Sequence, residues 1–239
     1  MFDRKWARGL ELTSQEVHTW AASLDLPARG LDRFRSTLSA DERARAARFQ
    51  FRKDRDAYVA GRGILRDILA AYLGLEPEAV AFNYNKHGKP SLVFGNLNFN
   101  LSHSGQLALY AISAERNVGV DVEMIRSLDD LVGVSTGNFS AVENRVLQSL
   151  PQVEQLQGFF NCWTRKEAFI KAVGEGLAYP LDQFDVTLRP GERVELLRIG
   201  EDTQPDWLVY DVTPMKGYIG SVAAPGKPWQ PVCGWWSYL

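Results

Sequence analysis

Val118, Val120 and Val122 alternate with Gly119, Asp121 and Glu123, and this alternation constrains the chain more than any other stretch. Successive side chains of a strand point to opposite faces. The valines therefore enter a core, and the two carboxylates leave together on the other side. One residue between two carboxylates suits a hard cation, which prefers oxygen ligands. Taken alone, the segment is better explained as a surface strand with two solvated acids.

A second segment, Trp163-Thr164-Arg165-Lys166-Glu167-Ala168-Phe169-Ile170-Lys171, reads as a helix. Phe160, Trp163 and Ile170 supply its apolar surface, and Glu167 and Lys171, four residues apart, share a face. Alone, that pair is an ordinary ion pair worth about 0.2–0.5 kcal/mol. Together the two segments say more. Three acids in one place repel one another unless a cation or a shared proton intervenes. Mg²⁺ removes the conflict and keeps positions open for water and phosphate oxygens, which points to phosphoryl chemistry.

Around these segments the chain reads as α+β. Residues 1–30 look irregular or weakly stranded. Ser39-Ala40-Asp41-Glu42 is a capping box and starts a helix to about Phe51. A second helix runs from Asp54 to Leu73, with Tyr58, Gly61, Leu65, Ile68, Leu69 and Tyr72 on one face and Gly74 as the stop. Short strands are expected at 79–82 and 97–101, and another from Leu107 after a turn at Gly105. Residues 128–135 show no clear pattern. Helices follow at 141–150 and 155–173, then strands near 184–188, 207–212 and 220–224, and a packed apolar end at Gly234-Trp235-Trp236. A break near Asn117 divides the chain into two parts of similar size, 1–117 and 118–239, each with helices followed by strands. No strong internal repeat is visible.

With 239 residues and a net charge of −2, the chain can bury a sizeable core and lacks the bulk positive charge of a nucleic-acid binder. No apolar run approaches the ~20 residues needed to cross a bilayer, and the opening residues lack the pattern of a signal peptide. The expectation is a cytoplasmic protein with no membrane or nucleic-acid partner. Cys162 and Cys233 are far apart, and no cysteine–histidine cluster suggests zinc, so two buried free thiols are expected.

Further polar residues could serve an anion. Arg55, Arg62 and Arg66 share a face of the second helix, and a guanidinium suits phosphate. For Arg55 and Arg66 a solvated face is the better explanation. Lys89 sits in the turn Gly88-Lys89-Pro90. His103, in Asn100-Leu101-Ser102-His103-Ser104, lies at a strand end where it can donate to a phosphate oxygen.

The succession of Asn100–Ser104, Gly119–Glu123 and Trp163-x-x-Lys166-Glu167-Ala168-Phe169-x-Lys171 resembles the 4′-phosphopantetheinyl transferases, as do Ala60-Gly61-Arg62 and Gly88-Lys89-Pro90. The similarity runs from about Ser39 to Pro180. The length matches the larger Sfp-like class, and the flavour is similar to cyanobacterial members. The resemblance implies two similar α/β subdomains related by a pseudo-twofold axis, acting as a monomer with the active site between them. It implies coenzyme A as substrate, Mg²⁺ as cofactor with Mn²⁺ as an alternative, and apo acyl, polyketide or peptidyl carrier proteins as partners. By position, Asp121, Glu123 and Glu167 would hold the metal, and Glu167 would be the general base, with Asp121 and Glu123 as alternatives for that role. Lys171 would neutralise the diphosphate. Lys89, Ser102 and His103 would contact phosphates, and Arg62 would sit near those of the nucleotide. Two departures stand out. Ala57 replaces a basic residue common in the family, and Asn138 replaces an aromatic in the stretch 137–140, which helps contact the carrier in relatives. The competing readings are a metal-dependent hydrolase of nucleotide diphosphates and a non-catalytic carrier-binding module.

Overall fold

The computed structural model describes residues 2, 4–5, 11–176, 179–202, 206–226 and 228–237. Two strands open the described chain, β1 (Arg4–Lys5) and β2 (Glu16–Ser23). Three helices follow: α1 (Ala28–Thr37), α2 (Ala40–Ala46) and α3 (Arg52–Leu73). After a 3₁₀ turn at Pro77–Ala79 come two hairpins, β3 (Phe82–Tyr84) with β4 (Pro90–Leu92), and β5 (Asn98–Ser104) with β6 (Leu107–Ser113). The strand β7 (Gly119–Met124) then starts a second round, with α4 (Leu131–Asn138), α5 (Ala141–Ser149) and α6 (Gln152–Val173). A 3₁₀ turn at Leu181–Gln183 leads to β8 (Phe184–Val186), β9 (Leu196–Ile199), β10 (Trp207–Asp211), β11 (Tyr218–Pro225) and finally β12 (Gln230–Trp235).

The two rounds match in local chemistry as well as in order. α3 and α6 each have 22 residues and stop at a glycine in the left-handed conformation, Gly74 with φ 66° and Gly174 with φ 87°. Such a C-cap costs glycine little and every other residue more. The helices α2 and α5 both begin with capping boxes, Ser39–Glu42 and Ser140–Glu143. Each boxed glutamate is buried and pairs with a cation on the long helix. Glu42 binds Arg62 at 2.6 Å and Arg66 at 2.7 Å, and Glu143 binds Lys166 at 2.8 Å. The two rounds thus share these caps and buried pairs, although no strong repeat is visible in the residues.

The strands form a five-stranded sheet in the order β1-β12-β2-β6-β5 and a three-stranded sheet in the order β10-β11-β7, beside two short hairpins. The sheets face each other. Val17 and Ala21 of β2, Leu107, Leu109 and Ala111 of β6, Val120 and Val122 of β7, and Val222 of β11 share the layer between them. The opposite face of the first sheet packs with α1 and α3 around Trp20, Phe34, Ile64, Ile68 and Tyr110. The second sheet packs with α6 around Phe160, Phe169, Ile219 and Ala223. The molecule is thus α+β in four layers, helix–sheet–sheet–helix.

Several expectations need correction. The stretch 1–30, of which residues 1, 3 and 6–10 lie outside the described ones, holds β2, a central strand. Its burial on both faces erases the alternation that would reveal it. It also holds the start of α1. The helix expected to reach Phe51 ends at Ala46. The strand expected at 79–82 is the end of a 3₁₀ turn followed by β3. The patternless stretch 128–135 leads into a helix, α4, from Leu131. The apolar end is not merely packed: β12 lies between β1 and β2, parallel to both. Arg66 is 2 % exposed rather than solvated. The two cysteines are free and buried, as expected.

Candidate active site

The site begins where β7 meets α6. At Gly119 the strand backbone lies directly on the helix backbone. A β-carbon there would fall 2.0 Å from the Ala168 carbonyl oxygen and 2.3 Å from the Ala172 nitrogen. This contact seats β7 under the turn of α6 that carries Glu167 and Lys171. Val118, Val120 and Val122 enter the layer between the sheets, as the alternation requires. Asp121, on the other face, is only 3 % exposed. The two acids do not look out from an open surface, because α6 covers that face.

Asp121 is the hub. Its Oδ1 accepts a hydrogen bond from Ser102 Oγ at 2.7 Å and from Lys171 Nζ at 2.6 Å, and Lys171 also donates to Ser102 Oγ at 3.0 Å. Its Oδ2 is buried and has no hydrogen-bond partner. A buried oxygen left so is costly and could accept a cation. The neighbouring contacts come from β5. This strand is not backbone-paired with β7, yet alternate polar side chains bridge the seam. Asn100 Oδ1 accepts the Val120 N–H at 3.0 Å. Ser104 Oγ donates to Glu123 Oε2 at 2.7 Å and accepts the Met124 N–H at 3.1 Å.

The electrostatics reflect crowding. Burial pushes the Glu167 carboxyl above the usual range, with Asp121 and Glu123 adding to the rise and Lys171 opposing it. Burial likewise raises Glu123, with Asp121 contributing and the Ser104 hydroxyl opposing. These mutual effects show three acids within electrostatic reach of one another. As placed, no three or more Asp, Glu, His or Cys side chains among the described residues form a ready metal-ligand group, and the Lys171 ammonium supplies the positive charge on Asp121. The donor set nonetheless fits a hard divalent cation, because Asp121 Oδ2 is free to accept one and two further carboxylates stand near.

The remaining sequence candidates divide. His103 is exposed at the end of β5, and partial desolvation together with the Lys171 charge holds its imidazole below its ordinary pKa. Lys89, expected at phosphates, donates instead to the carbonyl oxygens of Lys171 at 2.5 Å and Ala172 at 3.2 Å, at the end of α6. Burial lowers its pKa to about 8. Arg62, expected near the nucleotide, donates to Glu42 and, at 2.8 Å, to Tyr84 Oη, with its guanidinium 4.6 Å from the Phe82 ring centre. In the stretch 137–140, Asn138 Nδ2 bonds the Val134 carbonyl, Phe139 packs against Phe159 with tilted rings, and Ser140 caps α5.

Sequence reasoning missed Asn100 and Ser104 as bridging residues, Gly119 as the contact point, and Glu143 as the partner of Lys166. For the first two the signal was present. Asn100, Ser102 and Ser104 repeat every second residue, so a strand must put all three on one side.

Comparison with known proteins agrees with this architecture. Residues 117–223 match the model of the 4′-phosphopantetheinyl transferase superfamily. Residues 26–115 match the model for the N-terminal part of 4′-phosphopantetheinyl transferase. The chain is 42% identical over 233 residues to the 4′-phosphopantetheinyl transferase HetI of Nostoc sp., covering 96% of this chain and 95% of that one. It is 29% identical over 195 residues to the transferase Sfp of Bacillus subtilis, covering 81% and 84%. Two family models on consecutive halves, and a relative matched along nearly its whole length, place this chain in the 4′-phosphopantetheinyl transferase family, in its Sfp-like class.

Proposed function

We propose that the enzyme takes 4′-phosphopantetheine from coenzyme A and places it on a serine of an apo carrier protein, between residues 1–117 and 118–239, with adenosine 3′,5′-bisphosphate as the second product. The observation that carries the reading is Asp121: a buried carboxylate with one oxygen on Lys171 and Ser102 and the other without a partner. Asp121, Glu123 and Glu167 would hold Mg²⁺, or Mn²⁺ in its place. When bound, such an ion neutralises diphosphate oxygens as charge shifts to the leaving group.

The chain's own residues supply the rest. The carrier serine oxygen forms a bond to the β-phosphorus while the bond from that phosphorus to the bisphosphate oxygen breaks. The serine proton needs an acceptor, and Glu167, on the same turn of α6 as Lys171, is assigned that task on the family resemblance. Lys171 places an ammonium beside the acids and can follow the charge of the transferred phosphoryl group. His103, uncharged at rest, donates a ring N–H and gains a proton more readily once an anion is near. Lys89 is assigned to the phosphates, and Arg62 to those of the nucleotide, on the family resemblance alone. The enzyme is expected to act as a monomer in the cytoplasm, and no described helix is long and apolar enough to cross a membrane.

The test is intact mass spectrometry of an apo carrier incubated with enzyme, coenzyme A and Mg²⁺. One phosphopantetheine per carrier serine is expected, with no transfer in the presence of chelator. Coenzyme A cleaved without any carrier would favour the hydrolase, and an unmodified carrier across acyl, polyketide and peptidyl types would sink the proposal.

A further inference from the structure

Ser104 is the last residue of β5, and both of its side-chain hydrogen bonds go to β7. Its hydroxyl donates to Glu123 Oε2 at 2.7 Å and accepts from the Met124 N–H at 3.1 Å. Among the described residues this is the only hydrogen bond made by the Glu123 carboxylate. The position is fixed from two sides. Ser104 pairs with Leu107 across the β5–β6 hairpin. The turn residue Gly105, at φ 59°, lies so close to β7 and β11 that a β-carbon would stand 3.0 Å from Tyr218 Oη and 3.2 Å from Met124 Sδ. The strand pairing and this packing place the hydroxyl at the end of β7. Its neighbours along the seam are committed elsewhere, Asn100 to Val120 and Ser102 to Asp121.

We propose that Ser104 is a positioning residue of the transfer reaction: its hydroxyl orients the Glu123 carboxylate toward a divalent cation shared with Asp121. This inference rests on the reading that the acids hold such a cation. A carboxylate at the half-exposed end of a strand otherwise rotates freely, and that freedom must be lost on binding. A hydrogen bond to one oxygen removes it in advance and leaves the other oxygen available. Partners of this kind, one bond removed from a metal, typically cost about 10–100-fold in metal affinity when deleted.

Mn²⁺ titrated against the whole enzyme with coenzyme A present, and followed by the paramagnetic resonance of free Mn²⁺, tests this directly. Ser104→Ala should weaken Mn²⁺ binding by about 10-fold or more, whereas Ser104→Thr, which keeps the hydroxyl, should bind within about 3-fold of wild type. Should the alanine variant not fold, Ser104→Cys keeps the volume with a weak donor and should behave as alanine was expected to. Asp121→Ala separates the two levels of the claim. If wild type binds Mn²⁺, Asp121→Ala does not, and Ser104→Ala binds like wild type, Ser104 has no such role and the metal reading stands. Threonine losing as much as alanine would also overturn the inference, since the hydroxyl would then not be the cause. If wild type itself binds no Mn²⁺, both readings fall together.

Discussion

Glu167 and Glu123 carry a conflict that the ligand-free protein does not resolve. Both have folded-state pKa values raised above the unfolded ones, chiefly by burial. The folded state then binds protons more tightly than the unfolded state. The associated stability is fully present below the ordinary glutamate pKa of about 4.3 and is lost as pH rises through the folded values. Glu167→Gln should therefore raise the melting temperature of the metal-free protein at neutral pH, by about 2–4 °C if the relief is near 1 kcal/mol. The advantage should fade below about pH 4.3, where the wild-type residue is itself neutral. The same variant should lose transfer activity. Scanning calorimetry against pH, beside the carrier assay, checks both halves. Mg²⁺ should stabilise wild type by mass action and Asp121→Ala far less. At this scale the sequence was legible for acids at period-two spacing, because the strand geometry leaves them no choice. It was not legible for Arg62 and Lys89. Nothing in a local pattern says that a guanidinium will meet Glu42, 20 residues earlier in the chain, or that Lys89 will end on the carbonyls of α6.

The element that makes the site possible is the contact of β7 with α6. Gly119→Ala must push strand and helix apart, because the clashing atoms are backbone. A loss of about 1–3 kcal/mol or more is expected, together with a loss of transfer larger than the stability change explains, since Asp121 and Lys171 would separate. Urea denaturation paired with kcat/KM measures the two effects. Wild-type kcat/KM in a folded Gly119→Ala protein would show that the contact does not set the site. The Lys166–Glu143 pair is of another kind. Lys166 is fully buried and also donates to the carbonyl oxygens of Leu181 and Phe184, both at 2.6 Å. Lys166→Met strands Glu143 in the core and should cost about 3–5 kcal/mol, seen as a fall in denaturation midpoint. Long elements with strong periodicity, α3 and α6, were readable from sequence. β2 was not, because a strand covered on both faces shows no alternation. The close approach at Gly119 was not either, since a glycine in a strand does not announce what presses on it.

For the whole molecule, the placement of β12 is decisive. Its residues Gln230–Trp235 pair along β2 from Glu16 to Ala21. Trp236 then packs on Trp20 with ring centres 5.7 Å apart and donates to Asp67 at 3.2 Å. Deleting residues 229–239 should expose the β2 edge and the Trp20 core, giving a protein that aggregates or binds hydrophobic dyes rather than one that has lost a tail. Trp236→Ala alone should cost about 3–5 kcal/mol. A soluble truncation with unchanged circular dichroism would refute this view. Local patterns revealed that the end of the chain is apolar. They could not reveal that it pairs along a strand begun at residue 16, because pairing across more than two hundred residues leaves no periodic trace.

That closure also sets a timetable for synthesis. The strands β2, β5 and β6 leave the ribosome early, but one edge of β2 has no partner until β12 has been made, about 120 residues after the end of β6. At ~5–20 residues per second this is an interval of roughly 6–24 s, during which an apolar strand edge is open to wrong pairing. Shielding of that edge would protect the nascent protein through the interval. Its yield in a cell should therefore respond more to the speed of translation through the second half, and to chaperone supply, than the finished fold's stability would suggest.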